Sequence, residues 1–205
     1  MNIVKELQEL SLRPLDQMSM NNLITEIHSY NIGKGWWPPG TNYLEKIQLT
    51  NTEASEATEG VRKGLLDDKL PHHLMEHVEL ADVLLRALDL MGYFGVQYRP
   101  EGVYDWKGHI NPDKFCVGRT PIVDHLVLTM ANCAIVTGIS CHGVTSDAGK
   151  AMLQVTFNNL LACLFEICQR RGIDVWGIAS EKQAVNEVRP DHMLENRAKE
   201  GGKKV

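Results

Sequence analysis

Glu53, Glu56, Glu79 and Asp82 are the side chains of this sequence best suited to chemistry. Residues three apart on a helix project to the same side, so the segments Glu53-Ala-Ser-Glu56 and Glu79-Leu-Ala-Asp82 each offer a pair of carboxylates. If the two helices pack antiparallel across the connection KGLLDDKLPHH, all four groups converge. Four such groups repel one another unless a cation lies between them, and hard divalent metals prefer oxygen ligands of this kind. The implied occupant is Mg²⁺, one ion or more. The plainer alternative is that Glu53, Glu56 and Glu59 solvate one helix face while Glu79 pairs with Arg86, because charge patterns at these spacings are commonplace. Against it, Glu79, Asp82, Arg86 and Asp89 form a narrow polar stripe on an otherwise apolar helix, where fixed charge needs a partner.

A second stripe lies near the C-terminus, where Lys182, Asn186 and Arg189 fall at i, i+4 and i+7. Two cations and an amide on one face suit phosphate oxygens and a sugar or base, although a solvated face would look the same. Asp68 and Lys69, in the proline-closed turn between the acidic helices, are further candidates for contact with a base or sugar. His72, His73 and His77 invite a zinc reading, but the glutamate of the HExxH pattern is missing, and capping or surface roles fit them better. Cys141-His142 has no third group to complete a nucleophile, and NIGKG lacks the spacing of a Walker phosphate loop. A di-iron bundle would want Glu-x-x-His pairs, and Glu76 with Glu79 lacks the histidine.

The elements that must position these groups read as helices throughout, giving an all-α chain in one domain over residues 1–205. Helices are expected at about 16–30, 41–63, from after Pro71 to about 91, 121–137, 148–171 and 175–189. Leu74, Val78, Ala81, Leu85 and Leu88 form the buried stripe of the third. The segment NIGKGWWPPGT reads as a loop, as does the Gly-, Pro- and Asp-rich stretch 93–119, and about 190–205 is a polar tail, basic at its end. The formal net charge of −5 argues against a nucleic-acid groove. No uninterrupted apolar run approaches the ~18–20 residues that span a bilayer, and the N-terminus carries glutamates, so neither a membrane nor a signal peptide is expected and the cytoplasm is the expected location. The five cysteines, none in a CxxC pair, read as reduced and mostly buried.

The order Glu53-x-x-Glu56, Arg62 to His72, Glu79-x-x-Asp82, then Lys182, Asn186 and Arg189 followed by DHMLENRAKEGGKK resembles the MazG-like nucleotide pyrophosphohydrolases of the all-α NTP pyrophosphatase superfamily, phage-type dNTP enzymes among them. The matched stretches are about 41–95 and 172–204. The resemblance implies a helical bundle, usually a homodimer or homotetramer, that uses Mg²⁺, with Mn²⁺ as a substitute, to split a nucleoside triphosphate into monophosphate and pyrophosphate. Glu53, Glu56, Glu79 and Asp82 would be metal ligands. Glu53 or Glu56 would orient or deprotonate the water that attacks the α-phosphate. Lys182, Asn186 and Arg189 would face the triphosphate across a subunit interface, and the family's upstream aromatic corresponds to Trp36 or Trp37. The segment from about 96 to 170, with two extra helices, departs from the family pattern and leaves substrate choice open. The rival reading is a catalytically inactive helical dimer that senses nucleotides or binds a protein partner.

Overall fold

The computed structural model describes residues 2–12, 16–99, 120–192 and 195. They form seven α-helices: α1 (Ile3–Leu12), α2 (Gln17–Gly33), α3 (Tyr43–Lys63), α4 (Met75–Phe94), α5 (Pro121–His142), α6 (Asp147–Arg171) and α7 (Val175–Val188), with a short 3-10 turn at Pro190–His192. Among the described residues there is no strand, only an isolated bridge between Leu66 and Leu74. The fold is therefore all-α. The expected helices lie where periodicity put them, with ends shifted by a few residues, as fraying ends and caps allow. Six helices begin after a capping residue, and at five of these the side chain caps a backbone N–H: Asp16, Asn42, Thr120, Ser146 and Asp174. Gly64, Gly95 and Gly172 stop α3, α4 and α6 at positive φ, where a side chain would be strained.

α1 was not among the expected helices. Ile3, Leu7 and Leu10 are buried at i, i+4 and i+7, and the helix packs on α7. In α4 the expected stripe is buried except at Leu74, which is exposed and serves as the N-cap position. The helix packs against α2, α3, α6 and α7 at once, which explains why apolar residues surround its single polar stripe. Contacts between α3 and α4 run in opposite order along the two helices. Gly60 meets Met75 and Glu76, Glu53 meets Arg86, and Tyr43 meets Tyr93 and Phe94. A Cβ at Gly60 would stand 2.9 Å from the Glu76 backbone nitrogen, so glycine permits that close approach.

Helices α5 and α6 pack on each other, α5 on α3 and α6 on α4. Asn132 on α5 donates to Ile47 O and Asn51 Oδ1 on α3, both at 2.9 Å. A buried polar network joins four helices behind the acidic residues. Glu76 takes a fork from Arg171, with Nη2 to Oε2 at 2.7 Å, and His125 Nε2 lies 3.0 Å from Glu76 Oε1. His125 Nδ1 in turn meets Thr58 Oγ1 at 3.0 Å. Burial acts to raise the Glu76 pKa, but His125 and Arg171 outweigh it and hold the carboxyl down at about 2. Glu76→Ala, which strands both partners, should cost about 3–5 kcal/mol, read as a lowered urea midpoint. A loss below about 1 kcal/mol would mean the network is worth no more than a surface pair.

No uninterrupted apolar run of membrane length was expected, and yet Pro121–His142 and Asp147–Arg171, though interrupted, are long and apolar enough to span by length and composition. Their interruptions are mostly uncharged (Asn132, Thr137, Gly138, Thr156, Asn158), which breaks a run without lowering mean hydropathy much. The apolar stretch of α6 is largely buried inside the bundle, as a core helix is. The cysteines are also less buried than expected: Cys163 and Cys168 are inside, Cys133 and Cys141 are exposed, and none of these four is in a disulfide. Cys116, the loop at 100–119 and the tail after His192, apart from Glu195, lie outside the described residues. After α4, Val96 and Tyr98 are buried, and Tyr98 N donates to Asn21 Oδ1 at 2.7 Å.

Candidate metal centre

Glu53 and Glu56 on α3 and Glu79 on α4 bring one carboxylate oxygen each to within 4.8 Å of the others. Glu53 and Glu79 are buried and Glu56 is exposed, so the cluster opens to solvent on the Glu56 side. Asp82, one turn after Glu79, has its carboxylate 2.9 Å from Lys182 Nζ on α7. Arg86 Nε donates to Glu53 Oε1, so the pairing of Glu79 with Arg86 weighed from sequence spacing is replaced by Arg86 with Glu53. Glu59 turns away and pairs with Arg62 and Lys63 on the surface.

The charge balance is uneven. Four carboxylates (Glu53, Glu56, Glu79, Asp82) face two cations (Arg86, Lys182), a formal excess of two negative charges. Burial, with Asp82 and Glu53 nearby, pushes the Glu79 carboxyl up to about 9. Asp82 is also raised, by burial first and against the pull of Lys182. Glu56 is raised by burial, Glu53 and Asp82. Burial alone would lower Lys182, but Asp82, Glu79 and Asp67 reverse that and its pKa rises. A divalent cation would supply the two missing charges through oxygen donors alone, the ligand type that hard ions take. The residues present fit such an ion.

The remaining candidates fall into two groups. Asn186 lines a cleft of about 110 Å³ together with Asp82, Arg86, Tyr30, Trp36 and Lys46. Its Oδ1 is buried and finds no hydrogen-bond partner among the described residues. Trp37 is half-buried, stacks on Tyr93 at 4.4 Å and donates from Nε1 to Asp89 at 3.0 Å, while His28 Nδ1 meets the same carboxylate at 2.7 Å. Trp36 rather than Trp37 therefore lines the cleft. Lys46 sits 5.7 Å from both indoles.

Asp68 and Lys69 form an ion pair with each other on the surface of the α3–α4 connection, and Lys69 holds the Asp68 carboxyl below its usual range. Arg189, just past α7, lies near enough to add to that lowering. Neither Asp68 nor Lys69 lines the cleft. Their neighbour Asp67, which the sequence did not single out, is buried and comes within 4.0 Å of Lys182. Arg86 and Lys182 act together as the cluster's cations, and within this chain Lys182 reaches the acidic helix without a second subunit. No family model matches this chain, and no curated protein or solved structure matches it either.

Proposed function

We propose that this chain is a MazG-like, Mg²⁺-dependent nucleoside triphosphate pyrophosphohydrolase that releases pyrophosphate from a ribo- or deoxynucleoside triphosphate. The observation that carries the reading is the convergence of Glu53, Glu56 and Glu79 beside the Asp82–Lys182 pair, with Asp82 and Arg86 forming one wall of an aromatic-lined cleft. The opposed ExxE and ExxD helices would be the metal-binding pair of the bundle. Glu53, Glu56 and Glu79, with Asp82 beside them, would hold Mg²⁺ or Mn²⁺. When bound, the ion offsets phosphate charge and makes the α-phosphorus a better electrophile.

The chain's own groups supply the rest. Glu56 is the exposed member, and its raised pKa suits it to take the proton of a water attacking the α-phosphate. Glu53, fixed by Arg86, and Glu79 hold their carboxylates in place. Lys182, Arg86 and Arg189 bring positive charge toward phosphate oxygens, and Asn186 offers its amide to the sugar or phosphate. Trp36, with Tyr30 and Lys46, gives the base an aromatic surface. The proposed assembly is a homodimer or homotetramer acting on the cytoplasmic nucleotide pool, and exposed Ile122, Leu126 and Met130, at i, i+4 and i+8 on α5, offer an apolar face for it.

The test is pyrophosphate release from a panel of NTPs and dNTPs with Mg²⁺, with Mn²⁺ and with EDTA. Release with either metal and none in EDTA is expected. No release from any triphosphate by the folded protein would favour a non-catalytic nucleotide sensor.

A further inference from the structure

We propose that His72, His73 and Glu181 form a second metal site, specific for a zinc-type transition ion, that fastens α7 to the α3–α4 connection. His72 Nε2 lies 2.6 Å from Glu181 Oε2 and His73 Nε2 lies 3.2 Å from Oε1, with ligand atoms of all three residues within 4.8 Å of one another. Two imidazole nitrogens and a carboxylate are a donor set that suits Zn²⁺ and its neighbours, whereas Mg²⁺ favours the all-oxygen cluster on α3 and α4. His77, which the sequence grouped with the other two histidines, is not part of the triad. The third ligand comes instead from a helix more than a hundred residues away.

The histidines sit on backbone already fixed before any ion arrives. Asp67 Oδ1 accepts from Lys69 N at 2.9 Å and Leu70 N at 2.7 Å, His73 N donates to Leu70 O at 2.9 Å, and His73 O accepts from Asp67 N at 3.1 Å. Glu181 belongs to a helix tied down next door by Ser180 Oγ donating to Val4 O at 3.0 Å. Such support keeps ligand geometry tight. His72 and Glu181 are exposed, so an ion reaches them from solvent and keeps an open coordination position. Replacing the hydrogen-bonding proton on each imidazole by metal turns two weak surface contacts into a clamp beside Lys182, which bridges to Asp82. The site is independent of the pyrophosphohydrolase reading.

The experiment measures Zn²⁺ binding by calorimetry and thermal shift in saturating Mg²⁺, with Co²⁺ absorption as the signature of imidazole ligation. The proteins are wild type, His72→Ala, His73→Ala, Glu181→Gln and Glu53→Gln. Expected are a Tm rise of several degrees in wild type and Glu53→Gln, and binding weakened at least about tenfold in the other three. Absence of a zinc effect in wild type overturns the proposal. So does a zinc effect that survives the histidine and Glu181 changes but disappears in Glu53→Gln, since the ion would then be in the acidic cluster.

Discussion

Glu53→Gln is expected to cut metal-dependent pyrophosphate release by at least about 100-fold while leaving the protein folded. Glu53 is the buried carboxylate of α3 that faces both Glu79 and Arg86, so the amide removes one of three converging negative charges and the charged partner of Arg86. Its negative charge also raises Glu56, Glu79 and Asp82. Removing that charge relieves repulsion in the metal-free state, whereas losing the Arg86 bond costs little because Arg86 is about a third exposed and can hydrate. The Tm in EDTA should therefore hold or rise as activity falls. Activity kept near wild type would remove Glu53 from the metal set, and a fall in activity matched by a fall in Tm would point to unfolding instead.

Much of the positions of the helices was legible from residue types, because apolar stripes at helical spacing and the Gly and Pro breaks between them are local signals. α1 carried the same signal in Ile3, Leu7 and Leu10, weakened by its shortness. The acidic residues were legible for a related reason: three-residue spacing places two carboxylates on one side of each helix, and the eleven-residue connection between α3 and α4 brings the helices back against each other. What spacing could not give was the identity of the partners. Arg86 reaches Glu53 across the helix pair, Lys182 reaches Asp82 from α7, and Arg171 with His125 closes on Glu76 from α6 and α5. Each pairing depends on which faces meet in the packed bundle, which no local pattern encodes. The same holds for Glu181, whose link to His72 and His73 spans more than a hundred residues. Glu76 itself carried a usable hint, an extra carboxylate one turn before Glu79 on an apolar helix.

Without metal, the protein should lose stability as pH rises from about 4.5 toward 9, and Mg²⁺ should suppress that loss. Glu79 titrates near 4.5 when the chain is unfolded and up to about 9 in the folded, metal-free protein. Below 4.5 both states hold the proton; between the two values only the folded state holds it, so stability is full below the unfolded pKa and falls as pH climbs through the window. The slope is at most about 1.4 kcal/mol per pH unit for one proton. Glu76 sets the opposite limb, because its folded pKa of about 2 makes its contribution present above 4.5 and lost as pH drops toward 2. The metal-free optimum thus lies on the mildly acidic side. Cation binding needs the carboxylates ionised, so Mg²⁺ should displace the Glu79 proton, bind more tightly as pH approaches 9, and stabilise most where the metal-free protein is weakest. Urea unfolding across pH, in EDTA and in Mg²⁺, with Glu79→Gln alongside, isolates the effect. The variant should show a flatter alkaline limb in EDTA and little response to Mg²⁺. Parallel limbs for wild type and Glu79→Gln in EDTA would show that Glu79 is ionised at neutral pH without metal.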